Sequence, residues 1–254
     1  MLDWRGTEVE IATSAGGVLA LATPWANLIR TGVLPWPPPE LVQKLYQSRQ
    51  VRAFRGPDEA IVTKALGFYS DLQSLHSEDA ITWSVFGPIA YGPPAVRIAF
   101  AGALFRLIKV PSSPISTANV WLWRRLPHPD TLVPGGPEVD FGVQTDDVFL
   151  VGEAKWLSSV GAAQGVERDK DQITLRKEFC AKYGRRLLSG CRRFVVLGVS
   201  LVGGLVLTAD SEVDGVSLHA RDLTWKDLVG LDAHPVADEV RSYLSWKQSY
   251  SRAG

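Results

Sequence analysis

Apolar and polar positions alternate most sharply from Pro137 to Gln144, PEVDFGVQ. There Val139, Phe141 and Val143 share one parity, and Glu138, Asp140 and Gly142 share the other. A period of two predicts a half-buried strand. Thr145-Asp146-Asp147 reads as a turn and VFLVGEAKW as a second strand, so the two should form a hairpin. NVWLWRRL, just upstream, is also rich in β-formers. The helical period governs other stretches. Pro57-Asp58-Glu59 opens a predicted helix that carries Leu66, Tyr69, Leu72 and Leu75 on one side. Ser77 is the expected N-cap of the next, SEDAITWSVF, with Gly87-Pro88 as its stop. AVRIAFAGALFRLI, from Ala95 to Ile108, predicts a buried helix, and Gln164 to Tyr183 a polar-faced one. The apolar run FVVLGVSLVGGLVLTA, from Phe194 to Ala209, predicts two buried strands joined at Gly203-Gly204. RDLTWKDLVGL and HPVADEVRSYLSWK predict one or two closing helices.

Helices, a hairpin, a helix, strands and helices again, in that order, predict an α/β core: a central mixed sheet flanked by helices. LPWPPPE, from Leu34 to Glu40, cannot lie inside a helix or a central strand and marks a loop. The expected organisation is a mostly helical N-terminal section, residues 1–76, packed on a core of residues 77–254, the two forming separate units or one continuous domain. At 254 residues either is feasible.

Composition narrows the function classes without choosing among them. Lys plus Arg number 27 and Asp plus Glu also 27, which excludes nucleic-acid binding through bulk positive charge. The balance hides an asymmetry: Arg168 to Arg193 holds nine basic and three acidic residues, while Thr208 to Glu239 holds two basic and eight acidic. The apolar run at Phe194 falls short of the ~20 residues a membrane helix needs. The charged start MLDWRGTEVE does not resemble a secretory leader, and two cysteines, Cys180 and Cys191, suit a reducing compartment. A cytoplasmic protein with no membrane partner is therefore expected. His76, His128, His219 and His234 lack metal-ligand spacing, and no phosphate-binding glycine loop or nucleophile elbow is present.

The chemistry concentrates in the hairpin. A tight turn folds Glu153 back toward Asp140, and Glu153 and Lys155, two apart, project from one face of a strand. Two carboxylates and an ammonium aimed at one point on an apolar sheet are costly unless neutralised. A divalent cation would do that, and Mg²⁺ takes carboxylate, water and phosphate oxygens. Lys155 could orient or deprotonate an attacking water, or offset charge building on a phosphate. As a charged pair on an edge strand, Glu153 and Lys155 would instead only protect that edge. Glu78 and Asp79 could simply favour a helix dipole, and Asp146 and Asp147 are better turn formers than ligands.

Asp140 followed by Glu153-Ala154-Lys155 resembles the PD-(D/E)XK signature of restriction-endonuclease-like nucleases, with Pro137-Glu138-Val139-Asp140 standing for the usual Pro-Asp. The resemblance runs from about Ser77 to Ser200. It implies a restriction-endonuclease-like fold, Mg²⁺ or Mn²⁺ held by Asp140 and Glu153, and Lys155 assisting the hydrolytic water. Glu78 matches the glutamate that many members carry on an early helix, as a further ligand. Gln172 matches the polar residue on the helix after the lysine, with Gln164 as the alternative. The activity implied is a metal-dependent nuclease, DNA being favoured over RNA, in restriction, phage defence, repair or mobile-element processing. Arg168, Arg176, Lys177 and Lys182 would track the phosphate backbone. The same residues would also suit a solvated helix face. The rival readings are a catalytically silent nucleic-acid-binding or scaffold subunit of the same fold, and an unrelated interaction protein.

Overall fold

The computed structural model describes residues 1–13, 19–47, 71–130, 138–157, 170–188, 190–213 and 215–251. The chain divides into two compact units, Met1–Pro88 with Asp238–Gly254, and Ile89–Ala237. The division differs from the expected one at residue 76, because the C-terminal helix completes the first unit rather than the second.

In the first unit, within the section expected to be mostly helical, strands β1 (Ile11–Thr13) and β2 (Leu19–Leu21) pair antiparallel. Helices α1 (Pro39–Gln47), most of α2 (Glu78–Ala90) and α6 (Ala237–Ser251) complete it. Asn27 ties these pieces together from a fully buried position. Its side-chain amide donates to the Leu72 and Ser74 carbonyls at 2.7 and 2.8 Å, and its backbone carbonyl accepts from the Tyr243 hydroxyl at 2.9 Å. Lys247 Nζ donates to Asn27 Oδ1 at 3.0 Å and to Ser74 O at 3.2 Å, and burial pulls the amine's pKa well below its ordinary value. The predicted helix from Pro57 falls mostly outside the described residues. Its far end is a single 3₁₀ turn, Asp71–Gln73.

Ser77 does cap α2, its hydroxyl accepting from the Ala80 amide at 3.1 Å. Gly87-Pro88, however, does not end the helix, which continues to Ala90. A proline in the last turn removes only one helical hydrogen bond. Gly87 also lies against the Trp83 ring, where a Cβ would stand 2.8 Å from the indole.

The second unit is α/β. Its six-stranded mixed sheet has the order β3-β4-β5-β6-β8-β7, with β3 Ala118–Arg125, β4 Glu138–Thr145, β5 Val148–Ala154, β6 Arg193–Ser200, β7 Ala209–Val213 and β8 Val216–Thr224. Strands β3, β4 and β5 form an antiparallel meander. β5, β6 and β8 run parallel, and β7 returns antiparallel on β8. Helix α3 (Pro94–Leu107) packs on β3, α4 (Gln172–Leu187) packs on β5, β6 and β8, and the short α5 (Trp225–Val229) follows β8. The α4 side of the sheet is filled by Trp121, Phe149, Val151, Phe194, Val196 and Ala220 against Ile173, Phe179 and Tyr183.

Two expectations change in this unit. The run from Phe194 supplies one strand, not two, because residues 201–208 form a loop. In that loop the Asp222 carboxylate accepts from the Gly204 and Val206 amides at 2.6 and 2.9 Å. Those bonds replace the cross-strand ladder that a tight hairpin would have supplied. RDLTWKDLVGL is divided between the end of β8 and α5, with Thr224 and Asp227 forming a reciprocal capping box at the junction.

The β4–β5 turn is held by its aspartates, as their turn-forming character implied. Asp146 accepts from the Ser116 and Thr117 amides at 2.7 and 3.2 Å and from both hydroxyls, which lowers its pKa to about 2. Asp147 accepts from the Ser113 amide and hydroxyl at 3.0 and 2.8 Å. A carboxylate with a depressed folded pKa adds stability above its ordinary value of 3.8 and loses it as pH falls toward about 2. Thermal melts should therefore place Asp146→Asn below the wild type at pH 7. The gap should narrow below pH ~4 and close near pH ~2. A gap independent of pH would mean that Asp146 acts through shape rather than charge.

Candidate active site

The hairpin register brings the signature residues together. Phe141 pairs with Gly152, so one step further along the same register Asp140 lies across from Glu153. Directly opposite residues on antiparallel strands share a face. Gly152 makes the register possible: a Cβ there would fall 2.0 Å from Phe141 Cζ, so the ring crosses the neighbouring strand where a side chain would stand. Phe141 is itself fully buried and cannot swing away.

The two carboxylates are used differently. Asp140 is half-buried and accepts from the Ala154 amide at 2.7 Å. Glu153 is 1% exposed. Its Oε1 stands 3.1 Å from Lys155 Nζ, and its Oε2 stands 3.3 Å from a terminal nitrogen of Arg176. Arg176, 2% exposed, also donates to the Glu138 carbonyl, which joins α4 to the start of β4. Lys155 is anchored through its backbone: its amide donates to Val199 O at 2.8 Å, and its carbonyl accepts from Trp225 Nε1 at 2.9 Å.

Cation capacity can be read from these contacts. Among the described residues, no set of three or more His, Cys, Asp or Glu side chains gathers at one point. What this site supplies is two carboxylates. Glu153 Oε1 is buried and, although it ion-pairs with Lys155, it accepts no aligned hydrogen bond. An oxygen with spare lone pairs, on the face it shares with Asp140, fits a hard divalent cation. The residues present are thus compatible with Mg²⁺ or Mn²⁺ held by Asp140 and Glu153.

The other expected site residues divide. Gln172 is the first residue of α4, one helical turn before Arg176, and so shares the helix side that meets Glu153. Its neighbour Asp171 caps the helix, accepting from the Thr174 amide at 2.6 Å. Glu78 opens α2 and belongs to the first unit. Gln164 and Arg168 lie outside the described residues. Lys177 is half-buried, and Lys182 is exposed and donates to Pro129 O at 2.9 Å. Arg176, expected among solvent-facing cations that track phosphates, is instead buried. Its guanidinium is engaged by Glu153 and the Glu138 carbonyl, so it does not present its charge to solvent.

The sequence did carry a signal for Arg176. Ile173, Arg176, Cys180 and Tyr183 follow helical spacing, so the arginine interrupts a stripe that is otherwise buried in the core. A charge within an apolar stripe implies a buried partner. Trp123 carried no such signal. It adopts φ 50° in β3, between the pairs Leu122↔Phe141 and Arg124↔Val139, and therefore across from Asp140. An aromatic residue in the left-handed region is strained by about 1–3 kcal/mol.

No protein-family model, no curated protein and no solved structure matches this chain.

Adding a methyl at Gly152 tests the register. Gly152→Ala should destabilise the protein by about 1–3 kcal/mol, the usual cost of overpacking. Combined with Phe141→Leu, it should cost less than the two single changes together, because the shorter side chain vacates the clash. Denaturant titration of the four proteins measures this, and simple additivity would show that the ring and residue 152 do not meet.

Proposed function

We propose that the protein is a metal-dependent nuclease of the PD-(D/E)XK type, with a restriction-endonuclease-like core, that hydrolyses phosphodiester bonds in nucleic acid, DNA being favoured. The observation that carries this reading is Asp140 and Glu153 on one face of the β4–β5 hairpin with the Lys155 ammonium 3.1 Å from Glu153 Oε1, Glu153 being buried and that oxygen short of an aligned hydrogen bond. The mixed sheet with flanking helices is the architecture that the resemblance implied.

Asp140 and Glu153 would hold Mg²⁺ or Mn²⁺. The ion would supply Lewis acidity toward a phosphate oxygen and lower the pKa of bound water. The protein's own groups do the rest. Lys155, a donor with no acceptor capacity while protonated, orients the attacking water or offsets charge on the pentavalent phosphate. Water adds to phosphorus, the ester oxygen leaves with the bonding pair, and a proton returns to it. Gln172, on the same helix side as Arg176, is suited to hydrogen bond with water or phosphate. The exposed Lys182, Arg185 and Arg186 of α4, with the half-buried Lys177, offer cations to a phosphate backbone.

A second reading has its own support. Glu153 already has Lys155 on one oxygen and Arg176 on the other, so its charge is offset without an ion. A catalytically silent nucleic-acid-binding or scaffold subunit would keep such a carboxylate as a structural tie.

Purified protein incubated with linear, circular and single-stranded DNA and with RNA, in Mg²⁺, Mn²⁺ or EDTA, separates the two. Cleavage should require the metal, and Asp140→Ala, Glu153→Gln and Lys155→Ala should each lose about a hundredfold or more in rate. Binding without cleavage under every condition would favour the silent subunit. Full activity of any one variant would remove that residue from the site.

Binding itself should weaken as salt rises, since each phosphate neutralised releases counterions. Fluorescence anisotropy in Ca²⁺ should show a shallower salt slope for Lys182→Glu with Arg186→Glu than for the wild type. An unchanged slope would place the nucleic acid away from α4.

A further inference from the structure

We infer that Arg176 is the built-in counter-ion of Glu153, and that it sets how tightly the site takes up a divalent cation. This rests on the reading of Asp140 and Glu153 as metal ligands. The geometry is specific. The guanidinium is 2% exposed, stands 3.3 Å from Glu153 Oε2, and is tied on the same nitrogen to the Glu138 carbonyl. It sits on α4, inside a helix whose neighbouring buried side chains, Ile173, Phe179 and Cys180, pack into the core. Arg176 therefore cannot swing into solvent when a second cation arrives.

Lys155 differs. Its side chain is 12% exposed against 2% for Arg176, and it meets Oε1, the oxygen a ligand would share. A flexible ammonium can withdraw along its own stem, whereas the Arg176 guanidinium is buried and held on one terminal nitrogen by two acceptors. The two carboxylate oxygens thus have separate duties. Oε2 is permanently claimed by Arg176, which keeps a fully buried charge compensated in the absence of metal. Oε1 remains for the ion. An arriving divalent cation then meets a carboxylate whose charge is partly offset, with a fixed positive group on its far side. Affinity is lower than two bare carboxylates would give, and the unit does not depend on metal to fold.

The consequence has a definite sign. Removing the arginine's charge should tighten divalent binding and make stability depend on the metal. Isothermal titration with Mn²⁺ and thermal melts with and without Mn²⁺ read both effects without any nucleic-acid substrate. Arg176→Gln retains a donor for the Glu138 carbonyl, and Arg176→Met removes donor and charge. Both should bind Mn²⁺ at least about tenfold more tightly than wild type, at least ~1.4 kcal/mol. Both should melt at a lower temperature in EDTA and recover most of that loss in Mn²⁺. Arg176→Lys keeps the charge and should stay within about threefold of wild type in affinity. Should the Met variant not fold in EDTA, the Gln variant carries the same comparison.

An unchanged or weaker Mn²⁺ affinity in the Gln and Met variants, with wild type still binding through Glu153, would overturn the counter-ion role and leave the nuclease reading intact. Mn²⁺ binding in none of the proteins, or binding unaltered by Glu153→Gln, would overturn both together.

Discussion

The buried carboxylate of Glu153 is the constraint around which the second unit is arranged. A charge removed from water needs partners, and here they come from two directions: Lys155, one residue past the end of β5, and Arg176 from the helix laid across it. Through Arg176 the same contact reaches the start of β4, so one carboxylate fixes the depth and rotation of α4 against the hairpin. An apolar pair in its place would pack as well and cost less to bury. The charge at such a position ties the packing of α4 to that of the hairpin.

Around that point, small residues allow close approach. Gly152 lets Phe141 cross the hairpin, and Gly198, paired with Glu153 on the next strand, lets the 201–208 loop press onto the sheet, where a Cβ would fall 2.6 Å from Val206. The loop is then held by Asp222, which pairs with Gly198 on the strand beyond. Asp140, Glu153, Gly198 and Asp222 thus form one row across four strands. The row begins with a carboxylate that accepts a β5 amide and ends with one that closes a loop.

The hairpin was legible because it obeys a local rule. A period of two over Val139, Phe141 and Val143, followed by a turn rich in aspartate, specifies strand, register and sidedness at once. The α/β class and the long helices were legible for the same reason. The short strands β1 and β2 were not, since three residues give no periodicity, and β8 was hidden because its strand runs directly into a capped helix. A count of cations along the segment does not single out Arg176, since it says nothing about which of them the helix turns inward. The position of Trp123 opposite Asp140 comes with a positive φ, which neighbouring residue types do not encode.

The uneven charge along the chain becomes a spatial arrangement in the second unit. The basic stretch forms α4, with Lys182, Arg185 and Arg186 exposed, while the acidic stretch forms β7 and β8 at the end of the sheet, with Asp210 and Glu212 exposed on the outermost strand. A chain neutral in total is therefore unevenly charged along the segments that build this unit. The same acidic strand meets a second copy of itself as like charge against like, which discourages the sheet from extending into a neighbour.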